Sequence, residues 1–106
     1  MSESQFNELI DSTFEALEQA LDAVDADLDY ETSGGVLTVT FDNDTRLVFS
    51  RQPPTRQLWL AARAGGFHFA YDVEAGDWRD TREGRLFRPF VVQQMQAQGD
   101  VAFAWE

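Results

Sequence analysis

Between Val24 and Leu28 the apolar residues of this chain change their spacing, and that change limits its fold more than any other feature. Up to Val24 they recur at steps of three and four. Phe6, Leu9, Ile10, Thr13, Leu17, Ala20, Leu21 and Val24 line one side of a helix predicted over residues 4–25, with Ser4 as its N-cap. From Leu28 the period falls to two, the mark of half-buried strands, in short runs: "DLDYE" (Asp27–Glu31), Val36–Phe41, Arg46–Ser50, Gln57–Ala62, Phe67–Asp72 and Trp78–Asp80. Turns are expected at Ser33–Gly35, at "DNDT", and at "AGG" and "AGD", and Pro53–Pro54 should break the ladder. Helical spacing returns after Gly84 with Leu86, Phe87, Phe90, Val91 and Met95. Pro89 must then lie in the first turn, Gly99 should stop the helix, and "VAFAW" should run extended.

Consecutive strands with short links make an antiparallel sheet, and two amphipathic helices can cover only one of its faces. The expected fold class is therefore α+β: a two-layer α/β sandwich, with N- and C-terminal helices packed on one face of an antiparallel β-sheet. The 106 residues, 43% of them hydrophobic, suffice for one core, so residues 1–106 are expected to form one domain.

Charge is distributed very unevenly. Net charge is −11, and twelve of the nineteen acids precede Arg46, the first basic residue in the chain. On the predicted helix Glu8, Asp11, Glu15, Glu18, Asp22 and Asp25 also step by three and four, within an arc of roughly 100° opposite the apolar stripe. Asp27, Asp29 and Glu31 are expected to continue that ridge along the first strand. Like charges so crowded, with no Lys or Arg neighbour in sequence, repel and cost stability. The acidity argues against nucleic acid or an anionic membrane as partner and for cations and basic protein surfaces. Asp25, Asp27 and Asp29 start like an EF-hand loop, but Tyr30 and Val36 stand where that loop needs Gly and Glu. What remains is an open row of oxygen ligands, suited to weak binding of hard cations.

Without cysteine the chain has no disulfide, zinc–thiolate site, thiol nucleophile or cysteine-held cluster. No apolar run reaches membrane length and no cleavable leader is legible, so a cytoplasmic location is expected. Catalysis has no candidate, since the one histidine, His68, lies between two aromatics and no Ser or Thr nucleophile has an identifiable base. Alternation places Phe67, Phe69, Tyr71, Leu58 and Leu60 inward. Gln57, Trp59 and His68 then fall on the open face, where an exposed Trp flanked by polar residues suits a contact surface.

The stretch "SRQPPTRQLWLAARAGGFHF" resembles the frataxin family, its bacterial CyaY branch in particular, through Arg51, Gln52, Pro54, Gln57, Leu58, Trp59 and Leu60. "GGVLTVTF", "GDW" at Gly76–Trp78 and the acid-rich first helix extend the likeness from about Phe6 to Phe103. The resemblance implies an iron-binding, non-enzymatic protein that modulates iron–sulfur cluster assembly by docking on the cysteine desulfurase and its scaffold protein. It allows weak ferroxidase activity. The ions concerned are Fe²⁺ and Fe³⁺, weakly held, with other hard cations able to substitute. Asp11, Glu18, Asp22, Asp25, Asp27 and Asp29 carry over to the ridge, and Glu15 and Glu31 are further candidate metal ligands. Partner contacts are expected at Glu18, Asp22, Gln52, Gln57, Trp59 and His68. Ser50 stands where the family motif has Asn, while Gln19 and Ala23 thin the paired acids of close relatives. A monomer is expected, with metal-dependent oligomers allowed. Two alternatives compete: a ferroxidase or oligomeric iron store, and a salt-adapted acidic domain with no specific metal role.

Overall fold

The computed structural model describes Met1–Trp105. Its elements are α1 (Glu3–Asp22), β1 (Leu28–Ser33), β2 (Val36–Phe41), β3 (Arg46–Gln52), a 3₁₀ turn (Pro53–Thr55), β4 (Gln57–Ala62), β5 (Gly65–Asp72), β6 (Asp77–Asp80) and α2 (Phe87–Gly99). All neighbouring strands are antiparallel and stand in chain order, β1-β2-β3-β4-β5-β6, so each is joined to the next by a short turn. Both helices lie on one face of this sheet. No described helix is long and apolar enough to cross a membrane.

The N-cap of α1 is Ser2, not Ser4. Ser2 Oγ accepts from the Gln5 N–H at 3.1 Å, and Gln5 Oε1 accepts from the Ser2 N–H at 2.9 Å, which makes a reciprocal capping box. The helix ends at Asp22, which leaves Asp25 in the loop beyond it. Phe6, Ile10, Thr13, Phe14, Leu17 and Leu21 are its buried face, Phe14 being one that the apolar spacing above left out. Thr13 sits among hydrocarbon because its hydroxyl is satisfied twice: it donates to the Leu9 carbonyl at 2.7 Å and accepts from Trp78 Nε1 at 2.9 Å. Leu37, Val39, Phe41, Leu47, Phe49, Leu58, Leu60, Phe69 and Trp78 supply the sheet's half of the core.

The β1–β2 hairpin closes through Gly34 and Gly35, with φ of +58° and +80°. Both positions of such a two-residue turn need positive φ, which only glycine adopts without strain. Gly99 has another reason. It is the last residue of α2 rather than the residue that terminates it, and a Cβ there would lie 2.3 Å from the Phe41 ring. The left-handed cap falls on Asp100, at φ 52°. After it the described residues form no strand; Val101 and Phe103 are buried, and Trp105 packs on Phe87 and Phe103.

Candidate functional site

The exposed side of α1 carries Glu8, Asp11, Glu15, Glu18 and Asp22 as the spacing predicts, but three of these five are held from below. Arg51 of β3 reaches across the sheet and donates from Nη2 to Asp11 Oδ1 at 2.5 Å and from Nη1 to Asn7 Oδ1 at 3.2 Å. The Arg51 stem passes over Gly35, where a Cβ would lie only 3.0 Å from it. Thr32 Oγ1 donates to Glu18 Oε2 at 2.7 Å, and Tyr30 Oη donates to Asp22 Oδ1 at 2.6 Å. The Asp22 hydrogen bond, joined by burial and by repulsion from Asp22 and Glu18, raises the Tyr30 phenol above its ordinary pKa. So the ridge does have a cationic partner, contrary to what its sequence neighbours indicate. Arg51 lies 40 positions from Asp11 and becomes its neighbour only through the sheet.

The strand acids do not continue the helical line. Because Tyr30 and Thr32 face α1, their neighbours Asp29 and Glu31 point to the opposite, open face, across from Thr40 and Thr38 in β2. The eight acids expected to bind metal therefore divide into three parts: Asp11, Glu15, Glu18 and Asp22 above the sheet, Asp25 and Asp27 in the connecting loop, and Asp29 and Glu31 below. Among the described residues, no three acidic or imidazole side chains converge to hold an ion. The chemistry offered is an oxygen-only field, exposed and open, where a hard cation keeps most of its water. Iron fits that donor set only as weakly bound cargo.

On the open face, the register aligns Ser50, Trp59 and His68 across β3, β4 and β5, and beside them Gln52, Gln57 and Ala70. The Trp59 and His68 rings stack at 4.1 Å and 8°. Trp59 Nε1 donates to Gln57 Oε1 at 2.8 Å, which fixes the orientation of the indole, and Gln52 Nε2 donates to Ser50 Oγ at 3.4 Å. The four sheet residues expected as partner contacts thus form one patch with a polar rim, in which Trp59 is half-buried. Leu58 and Leu60 are buried as predicted; of Phe67, Phe69 and Tyr71 only Phe69 is fully so.

A second group of carboxylates, which the sequence reading passed over, organises the β6–α2 corner. Asp80 is buried and accepts from the Arg82 and Glu83 N–H groups at 2.8 and 3.3 Å and from Arg85 Nε at 2.8 Å. Burial pushes its carboxyl up, but these donors outweigh it and leave the pKa below the ordinary value. Asp77 accepts from the Trp78 N–H at 2.8 Å and from the Arg88 N–H at 3.0 Å, serving α2 as a remote N-terminal cap in place of Leu86. Asp72 is lowered by its hydrogen bond with Arg79, at 2.8 Å, and by N–H groups of the following turn. These acids are fasteners. Their signal in sequence was the Arg residues interleaved among them, which the ridge lacks.

Comparison with known proteins fits this geometry. A frataxin-like domain model matches residues 1–101. The iron–sulfur cluster assembly protein CyaY of Pseudomonas entomophila is 60% identical over 78 residues, covering 74% of this chain and 71% of that protein. CyaY of a Pseudomonas fluorescens strain is 43% identical over 106 residues, 100% of this chain and 96% of the relative. Among solved structures, the frataxin of Psychromonas ingrahamii superposes with a TM-score of 0.93 at 33% identity, over 100% of this chain and 99% of that one. Trimeric frataxin from Saccharomyces cerevisiae, complexed with ferrous iron, gives 0.59 at 26% identity, over 94% and 88%. A two-helix layer on an open six-stranded meander, an acidic first helix and a match through nearly the whole chain lead to one assignment: this chain belongs to the frataxin family.

Proposed function

We propose that this protein modulates iron–sulfur cluster assembly, as a weak iron binder that docks on the cysteine desulfurase and its scaffold protein and adjusts sulfur transfer without catalysing it. The observation that carries this reading is the presence of two unlike surfaces on one rigid sheet: an acidic margin at α1 and β1, and a polar-aromatic patch on the open face centred on Trp59. The first suits a basic surface and hydrated cations, the second a partner met through an aromatic anchor. Glu15, Asp25, Asp27, Asp29 and Glu31, with no partner of their own among the described residues, would supply most of the iron field. Glu18 and Asp22, preset by Thr32 and Tyr30, would serve both iron and the desulfurase. Asp11 contributes less, being neutralised by Arg51. Gln52, Gln57, Trp59 and His68 would form the sheet-face contact. Metal-dependent association is a secondary part of this reading, supported by the trimeric, ferrous-complexed yeast relative.

A pull-down and activity assay with the cognate desulfurase and scaffold, with and without Fe²⁺, tests the proposal. Binding should weaken as salt rises, since exposed charges are screened within about 8–10 Å at moderate ionic strength. Trp59→Ala should weaken it by a route that salt hardly affects. Fe²⁺ or a lanthanide should perturb amide signals from Glu15 to Glu31 and spare Trp59 and His68. No desulfurase binding at any ionic strength would sink the reading, and metal perturbation centred on His68 would sink its iron half.

A further inference from the structure

The sheet has two outer strands, β1 and β6. The β6 margin is covered: Arg79 bridges to Leu86, and the Asp80 N–H donates to the Arg85 carbonyl at 2.8 Å. The β1 margin is open. Its hairpin turn closes on Ser33 and Val36, so Ser33, Glu31 and Asp29 are the residues that exchange backbone hydrogen bonds with β2. Tyr30 and Thr32, lying between them, turn their N–H and C=O groups outward. The Leu28 N–H, on that same side, is taken by the Ala26 carbonyl at 3.1 Å, whereas the backbones of Tyr30 and Thr32 have no such partner among the described residues.

Carboxylates flank this open margin on both sides of the sheet. Glu18 and Asp22 stand on the α1 side, oriented by the Thr32 and Tyr30 hydroxyls, and Asp29 and Glu31 stand on the other. Charge on an outer strand ordinarily discourages pairing. Here it selects. A second copy of this strand would bring carboxylate against carboxylate, and is refused. A strand bearing Lys or Arg meets a carboxylate whichever way each side chain points, because alternate residues face Glu18 and Asp22 or Asp29 and Glu31.

We propose that the outward margin of β1 accepts an extended, Lys/Arg-rich segment of a protein partner as an added strand, bonded through the Tyr30 and Thr32 backbones. The inference rests on the reading of the ridge as a docking surface for a basic partner, and it specifies the mode. In strand addition the main chain supplies affinity and the flanking side chains supply selectivity.

Two peptides of one Arg-, Thr- and Val-rich sequence make the test, the second N-methylated at the alternate residues that would donate to this margin. The unmodified peptide should slow amide exchange of Tyr30 and Thr32 by about tenfold or more, and N-methylation should weaken binding about tenfold with charge unchanged. Thr32→Pro, which removes one outward N–H, should weaken binding to a similar degree. Thr32→Val, which loses the Glu18 bond but keeps that N–H, should weaken it far less than the proline does. Equal affinity for the two peptides would overturn the proposal. If the desulfurase shifts the Glu15 and Asp22 signals while Tyr30 and Thr32 exchange at their free rates, strand addition fails and ridge docking stands. Failure of the desulfurase to bind at all removes both.

Discussion

The α1–β1 margin and the β6–α2 corner are both built around carboxylates and put them to opposite use. At the corner Asp77 and Asp80 are buried, and between them they accept five hydrogen bonds, three of those to Asp80. Along the margin the acids are mostly exposed, with single ties at Asp11, Glu18 and Asp22. A carboxylate surrounded by N–H donors holds the backbone in place. One left in water keeps its charge available to whatever arrives, and its crowding is a standing cost.

The largest expected effect is at the corner. Asp80→Ala strands two backbone N–H groups and the Arg85 guanidinium, and should cost about 3 kcal/mol in urea or guanidinium unfolding. The same measurement across pH carries a sign. With folded pKa values held below the ordinary one, Asp72 and Asp80 contribute stability that is present above the unfolded carboxylate value of about 4 and lost as pH falls through their lowered values. Asp80→Asn should therefore flatten the acid limb of the stability curve. An unchanged limb would mean that the Asp80 carboxyl is not linked to folding and is no fastener.

A smaller effect of opposite sign is expected on the ridge. Asp25, Asp27 and Asp29, changed together to Asn, should raise stability by less than about 1 kcal/mol at low salt, and the gain should fade as salt is added. Iron and desulfurase binding should weaken with it. Glu74→Gln with Asp100→Asn is the control at exposed acids elsewhere; Asp77 is unsuitable because it is buried. Equal consequences from the two sets would favour a salt-adapted surface and erase the contrast.

Smallest is the change at Tyr30. The phenol that Asp22 keeps protonated is a tie present below the unfolded value of about 10 and lost as pH rises through the raised folded one. Spectrophotometric titration should show one tyrosine titrating late, and Asp22→Asn should bring it back toward the ordinary range. Titration unaltered by Asp22→Asn would show that the tie plays no part.

Most of the fold was legible because alternation and helical spacing are properties of neighbours in sequence. The bounds of β2 and β4 follow directly from "VLTVTF" and "QLWLAA". The start of α1 was legible too, but misread: Ser2 has Gln5 three positions on, as a capping box requires, and Ser4 has Asn7. "VAFAW" alternates like a strand yet forms none, since alternation shows which side chains can be buried and not whether a pairing partner exists. The ridge itself was visible as a stripe of charge. Its internal ties were not, because Arg51 to Asp11 and Thr32 to Glu18 span 40 and 14 positions and exist only once the helix lies on the sheet. The reversal of Asp29 and Glu31 to the open face followed from the same period of two that defined the strand, had α1 been placed above it.

Strand order equal to chain order has a kinetic consequence. Every strand pairs with its sequence neighbour, so hairpins can zip in succession at small loop-closure cost. The helices are the exceptions: Gln98 of α2 must find Arg46 across 52 positions, and α1 reaches as far, with Thr13 finding Trp78 across 65 positions and Asp11 finding Arg51 across 40. We infer that α1 docks after the meander has formed, so that severing the Thr13–Trp78 bond by Thr13→Val would quicken unfolding and leave the folding rate nearly untouched. A slowed folding arm instead would place the helix in the nucleus, and the acidic margin would then take shape early rather than last.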